Sequence, residues 1–190
     1  AGANHTVCGQ AGIPLFGIAA NNSGVQRPSS GDGVFVQNDD LEPIYNPGND
    51  DMDNGVVELC LTAFGQGDCD DAVDCMQLNL IHEAIADAGT DATICAGMSH
   101  QLNGGASHFA SLQWATSGDG TFNNPAALSA IYTPGSNDLA SGGVLLTLTA
   151  LGNGTCADWL SEMSLTIQPQ VQAFAGNDAS ILQGEFYTLT

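Results

Sequence analysis

The chain repeats itself at an offset of 87 residues, without a gap. Ala1-Gly2 returns as Ala88-Gly89 and again as Ala175-Gly176. Ser30-Gly31-Asp32-Gly33 returns as Ser117-Gly118-Asp119-Gly120, and Phe35 as Phe122. Ile44-Tyr45 with Pro47-Gly48 returns as Ile131-Tyr132 with Pro134-Gly135, and Cys8 and Cys69 return as Cys95 and Cys156. By direct count, 32 of the first 87 residues recur identically. Such self-similarity fixes the architecture before any single motif is read. A unit of this size folds alone while burying a modest share of its surface. The expected organisation is residues 1–87, residues 88–174, and residues 175–190 as the start of a third repeat or a pairing terminal strand segment. Duplicated modules commonly supply length, valency or rigidity, so catalysis is not the first expectation.

Helical periodicity is missing, and short β-branched or alternating runs are separated by Gly, Asn, Asp and Pro. In the second copy, strands are expected at 92–95, 99–102, 112–116, 121–122, 128–132, 143–151 and 159–167. Seven short strands in fewer than ninety residues predict an all-β chain of tandem immunoglobulin-like antiparallel β-sandwiches. Trp114 is the natural core tryptophan, yet Arg27 stands at that position in the first copy. That core must be built differently, or the site must be more exposed. The junctions at 82–89 and 169–176 are short and are not Gly/Ser tethers, which predicts a semi-rigid rod.

Charge removes several function classes. The chain has no lysine and one arginine against 21 acidic residues, a formal net charge of −20. No nucleic-acid partner is expected, because nothing is present to neutralise phosphates. Docking on an anionic membrane is disfavoured for the same reason, and no stretch is apolar enough to insert as a helix. Fourteen of the acids lie in residues 1–87, five in 88–174 and two in 175–190. The surplus therefore belongs to the first copy and not to the fold. Ala1 already stands in register with Ala88, so an export signal is expected upstream of it.

Cys8 and Cys69 recur in register, which predicts one bridge per unit, Cys8–Cys69 and Cys95–Cys156. Cys60 and Cys75 have no counterparts, Thr147 and Glu162 standing in their places. An unmatched pair that appears together predicts an extra bridge, Cys60–Cys75. In Leu59-Cys60-Leu61 and Cys75-Met76-Gln77-Leu78, alternation turns both cysteines to the outer face of a hairpin centred on the 65–69 turn. No CxxC spacing suggests zinc, and disulfides place the chain outside a reducing cytosol.

The acidic run 49–55, holding Asp50, Asp51 and Asp53, is the best calcium candidate, because an Asp/Asn-rich turn supplies several hard oxygens. Its counterpart keeps only Asp138, in place of Asp51, and neither has EF-hand spacing. Asp87 and Asp91 flank a junction where a cation would stiffen the rod. A solvated acidic loop is the competing reading, and no cofactor is required. His5, His82, His100 and His108 lack metal spacing, and no nucleophile stands beside a base, so no catalytic residue is assigned. Ser117-Gly-Asp-Gly120 lacks the lysine of a phosphate loop and reads as a turn. Asn4, Asn21 and Asn153 open N-glycosylation sequons.

The run from Ala88 through Cys95, Leu112-Gln-Trp-Ala-Thr-Ser-Gly-Asp-Gly-Thr-Phe122, Ile131-Tyr-Thr-Pro-Gly135 and Leu146 through Cys156 together resemble a known repeat. They are similar to the immunoglobulin/PKD-like repeats of giant cell-surface proteins in Bacteroidetes, including gliding-motility adhesins exported by the type IX secretion system. The resemblance implies an extracellular, cell-surface, multidomain fibre or adhesin whose partners are further repeats or neighbouring filament subunits. Arg27 for tryptophan, Leu182 for the third copy's cysteine, and the added Cys60/Cys75 pair depart from the pattern. Two other readings stand beside the stalk. One is a fibre subunit that polymerises by strand exchange through residues 175–190, where strands are expected at 180–182 and 186–189; the other is a calcium-dependent module binding a surface glycan.

Overall fold

The computed structural model describes residues 1–174, 180–184 and 186. The first unit comprises β1 (His5–Cys8), β2 (Ile13–Pro14), β3 (Gly24–Gln26), β4 (Val34–Val36), β5 (Ile44–Asn46), α1 (Asn49–Asn54), β6 (Val56–Phe64) and β7 (Ala72–Ile81). The second comprises β8 (Ile85–Asp87), β9 (Ala92–Cys95), β10 (His100–Gln101), β11 (Gly105–Ser107), β12 (Phe109–Thr116), β13 (Thr121–Phe122), β14 (Ile131–Thr133), α2 (Ser136–Ser141), β15 (Gly143–Gly152) and β16 (Trp159–Gln168). Each unit faces a four-stranded sheet, β1-β7-β6-β3 or β9-β16-β15-β12, with a three-stranded one, β2-β5-β4 or β10-β14-β13. The strands alternate as the sequence requires. Val57, Leu59 and Leu61 turn inward from β6, and Val144, Leu146, Leu148 and Ala150 turn inward from β15.

Both units are all-β sandwiches, with two departures from the expected pattern. The sheets are not wholly antiparallel: β1 runs parallel to β7, pairing Cys8 with Ile81, and β9 runs parallel to β16, pairing Cys95 with Gln168. The acidic run 49–55 is not a loop but the short helix α1, and α2 repeats it. The opening motif Ala175-Gly176 and most of the expected strand at 186–189 lie outside the described residues. Ser180–Leu182, expected as a strand, is irregular, with Ile181 and Leu182 exposed.

The two units have separate cores. One gathers Leu15, Tyr45, Leu59, Leu61 and Leu78; the other gathers Leu102, Trp114, Tyr132, Leu146 and Leu165. Ala84 and Ala86 belong to the second core, so the second unit begins structurally before Ala88.

The invariant turn motif is explained by one buried knot. The Asp51 carboxylate, 1% exposed, accepts hydrogen bonds from the Tyr45 hydroxyl at 2.5 Å and from Gly33 N and Gly48 N at 3.1 Å each. Asp138 repeats this with the Tyr132 hydroxyl at 2.6 Å and Gly135 N at 2.9 Å. Asp32 and Asp119 cap the two helices, accepting from the backbone N–H groups of Asp50 and Asp51, and of Asn137 and Asp138. A side chain at Gly31 or Gly118 would collide with the buried carboxylate, and one at Gly33 or Gly120 with the tyrosine hydroxyl. The Ser-Gly-Asp-Gly turn and the Ile-Tyr-x-Pro-Gly corner are therefore two halves of one hydrogen-bonded unit.

Arg27 is buried, 1% exposed, at the position of Trp114. Trp114 Nε1 donates to the Ala127 carbonyl at 3.0 Å, satisfying its one polar atom. Arg27 Nη2 donates to the Leu41 carbonyl at 2.8 Å, but Nε and Nη1 have no partner. Burial lowers the guanidinium pKa, partly opposed by Asp40.

Two predictions follow from these buried groups. Arg27→Met, which fills the space without a buried charge, is expected to stabilise the chain by about 1–4 kcal/mol, whereas Arg27→Ala destabilises it. Calorimetric melting of both variants checks the pair, and a lowered melting temperature for Arg27→Met overturns it. The second concerns alkali. Burial and Asp138 push the Tyr132 pKa up to about 12, and burial and Asp51 raise Tyr45 as well. Above pH ~10 the unfolded tyrosines ionise while the folded ones keep their protons. The unfolded state then binds fewer protons, so stability falls as pH rises from about 10 to 12. Tyr45→Phe with Tyr132→Phe should flatten that alkaline decline in denaturant titrations while lowering stability at neutral pH.

Candidate inter-unit joint

The arrangement that sets this chain apart from two sandwiches on a string lies where they meet. Only three residues separate β7, which ends at Ile81, from β8, which begins at Ile85. β8 pairs antiparallel with β11, matching Ile85 to Ser107 and Asp87 to Gly105, so the connection is itself a strand of the second unit. Ala84 is 1% exposed within the second core. The connection is therefore packed and hydrogen-bonded, which removes the freedom of a linker.

A covalent bond crosses the same junction. Cys8 is bonded to Cys156, with a Cα–Cα distance of 5.2 Å and a sequence separation of 148 residues. The expected bridges Cys8–Cys69 and Cys95–Cys156 are not formed; Cys69 and Cys95 are free and exposed. The reason is the parallel pairing of β1 with β7. It sets Cys8 beside Ile81, at the end of β7, whereas Cys69 lies in the turn before Ala72, where β7 begins. At ~3.3 Å per residue the two poles are about 30 Å apart, and a disulfide needs Cα atoms within about 7 Å. Cys156 occupies the turn before β16 in the second unit, at the pole that faces the first. The cysteine at the end of one unit's first strand thus meets the hairpin turn of the next unit.

Small residues and turn chemistry fit the two surfaces together. Gly9 donates its N–H to the Ile81 carbonyl at 2.9 Å and takes φ 77°, so the chain turns away just after Cys8. Cys156 Sγ lies 3.5 Å from the His82 carbonyl oxygen. His82 stacks on His108, ring centroids 4.3 Å apart. His108 holds φ 55° and Asn153 Nδ2 donates to its carbonyl at 3.0 Å, which fixes the turn that carries Cys156. A side chain at Gly154 would press on Ile81. Thr155 joins residues of β1 and β2 in lining an apolar cleft of about 670 Å³. A smaller cleft at Ala88, Ala92 and Met163 occupies the equivalent place in the second unit, so this hollow is a feature of the fold.

The other sequence candidates separate by burial. Cys60 and Cys75 are bonded and lie directly opposite in the β6–β7 register. Asp51 is committed to the internal knot and is not a free ligand. Asp50 and Asp53 are exposed on α1, and Asp53 Oδ1 lies 3.9 Å from His82 Nε2. Asp87 accepts from Gly89 N at 2.9 Å, and Asp91 from Ser164 N at 2.7 Å. Each of these last two closes a backbone turn or strand edge. Among the described residues, the one cluster with metal-ligating side chains is Glu58 with Cys60 and Cys75, and its sulfurs are spent on the disulfide. Asn4 accepts from Gln77 N, Asn153 is held against His108, and Asn21 is exposed at φ 57°. From sequence, His82 and His108 are read only as lacking metal spacing, and the strand β8 falls inside the expected junction 82–89. No signal in the sequence marks the joint, because it depends on the first strand lying parallel to the last, which sets Cys8 and Cys69 at opposite ends of the sheet.

No family model matches the chain, and no curated protein matches it. Among solved structures it is similar to a three-domain immunoglobulin structure of titin I67–I69, an E-to-A mutated variant. The two are 10% identical over 87% of this chain and 62% of that one, TM-score 0.49. It is similar to a protocadherin gammaB7 EC3-6 cis-dimer structure, 11% identical over 88% of this chain and 46% of that one, TM-score 0.46. It is also similar to mouse cadherin-23 EC22-24, 11% identical over 87% of this chain and 63% of that one, TM-score 0.44. The chain spans less than two thirds of the length of each of these structures.

Proposed function

We propose that this chain is a tension-bearing stalk segment of an exported bacterial surface adhesin or filament. The carrying observation is the Cys8–Cys156 bond across the joint. Two disulfides suit a chain that matures where thiols are oxidised. The motif resemblance supports the finer reading, a segment of a giant Bacteroidetes surface protein exported by the type IX secretion system. Repetition supplies length, and the charge of −20 keeps such stalks soluble and mutually repelling.

The bond has a mechanical consequence. Tension applied between Ala1 and Phe174 passes from Cys8 directly to Cys156, so residues 9–155 lie outside the loaded path. The parts of both cores that lie within residues 9–155 are then shielded from extension while the bond holds, and only β1 and β16, with Met163 and Leu165, stay in the loaded path. In solution, closing a loop this long stabilises the folded chain by about 5 kcal/mol in the chain-entropy model.

Force spectroscopy tests this reading. Pulled from its ends, the oxidised chain should yield only its terminal segments. Cys8→Ser should release about 450 Å more contour at ~3.4 Å per residue, with the Cys60–Cys75 loop still closed. Equal contour lengths for the two proteins would remove the tension-bearing role.

A further inference from the structure

We propose that the two free cysteines, Cys69 and Cys95, are the open halves of further staples of the same design. Cys95 bonds the hairpin-turn cysteine of the next repeat unit in line, and Cys69 bonds the first-strand cysteine of the unit before. The proposal rests on the stalk reading and deepens it by naming the partner, another unit of this repeat type docked head to tail.

The offset supplies the first argument. Cys95 is the repeat equivalent of Cys8, and Cys69 is the equivalent of Cys156. Cys8 and Cys156 are bonded across the joint, while their two equivalents are exposed and unbonded. Strand topology puts the free pair at the two outer poles. Cys69 lies in the turn before β7, at the pole of the first unit away from the joint. Cys95 closes β9 beside Gln168, at the pole of the second unit away from it. They cannot reach each other within one molecule, yet each presents half of the bonded geometry to a neighbour.

The surfaces around them supply the second argument, independent of sulfur. At the joint, β11 is covered by β8, and Ala84 is buried. The first unit's equivalent of β11 is Ile18–Ala20, which belongs to no strand among the described residues, and Ile18 is 94% exposed. The second unit's equivalent of the connection is 169–174, which is likewise irregular. Val171, the counterpart of buried Ala84, is 94% exposed, and Phe174 is 82% exposed. One pole therefore shows an unpaired edge and the other an unpaired apolar segment, and these are the two pieces that pair at the joint. Asn21, at φ 57°, already holds the backbone geometry of its equivalent His108, at φ 55°. Such a contact joins different surfaces of the two partners, so it propagates instead of closing.

The bond forms by thiol–disulfide exchange with a small-molecule disulfide such as oxidised glutathione. The Cys95 thiolate attacks that disulfide and displaces one thiol, leaving a mixed disulfide. The Cys69 thiolate of the incoming unit attacks the Cys95 sulfur and releases the second thiol. Two protein thiols are oxidised, one small disulfide is reduced to two thiols, and no other reactant is needed.

The test uses the 190-residue chain in a glutathione redox buffer, followed by non-reducing electrophoresis and peptic disulfide mapping. A ladder of multimers joined by Cys69–Cys95 peptides is expected. Cys69→Ser and Cys95→Ser should each remain monomeric alone, and mixing the two should give a single heterodimer. Val171→Glu, which places a charge where Ala84 is buried at the joint, should slow cross-linking about tenfold. In a longer form of the chain, Cys95 mapped to a hairpin-turn cysteine beyond residue 190 supports the same joint within one molecule. Monomers with both thiols alkylatable overturn the proposal, and so does a ladder whose Cys69–Cys69, Cys69–Cys95 and Cys95–Cys95 links are in random proportion. The same map reads Cys8–Cys156. If that bond is intact while Cys69–Cys95 is absent, this inference alone fails. If Cys8–Cys156 is itself missing, the stalk reading fails with it.

Discussion

The parallel pairing of each unit's first strand with its last governs the rest of the structure. In a wholly antiparallel sandwich, the end of β1 would lie near the start of β7, and Cys8 would fall close to Cys69. Parallel pairing carries Cys8 to the opposite pole, beside Ile81, where the chain leaves for the second unit. A cysteine that closes no loop inside its own domain then becomes available to the next one. The joint follows from strand direction, and the bond is its consequence.

A stapled joint needs rigid surfaces on both sides, and the buried carboxylates help to supply them. Asp51 and Asp138 each hold a tyrosine hydroxyl and the backbone of two turns around one interior point. Burying a carboxylate is unfavourable unless its lone pairs are filled. Here donors converge on each of them, at short range from tyrosine. The knot thereby fixes how the corner after β5 or β14 meets the strand that follows. Alteration at any glycine of the motif would put a side chain into the carboxylate or the hydroxyl, which is why the motif recurs unchanged in two copies that differ at most other positions.

The first unit carries modifications that the second lacks. It replaces the core tryptophan by a buried arginine and adds a cross-strand disulfide to its last hairpin. Two guanidinium nitrogens lack partners, so the exchange is not explained by better packing. The Cys60–Cys75 bridge closes a 15-residue separation, worth about 3 kcal/mol in the chain-entropy model, which is of the size needed to offset such a core. Most of the chain's acids also lie in this unit, exposed on its surface and in its turns. They alter how it meets solvent without altering its sandwich.

The amino-acid sequence by itself determined the two all-β repeats, the long strands of each unit and the outward-facing Cys60–Cys75 pair, because period-2 alternation and a fixed offset are local signals. The joint strands β8 and β11 were not legible in the sequence. It did not reveal that Asp51 is buried, because an acidic run reads the same whether its carboxylates face water or a tyrosine. The recurrence of Asp138 alone in the second copy was the available clue. Nor did it decide the partner of Cys8. Recurrence in register is equally compatible with a bond inside each unit and with a bond from each unit to the next. Only the direction of β1 along β7, a pairing between segments some seventy residues apart, separates the two by placing the sulfurs at opposite poles. That choice belongs to tertiary structure, since nothing local to Cys8 records which end of the last strand it will lie beside.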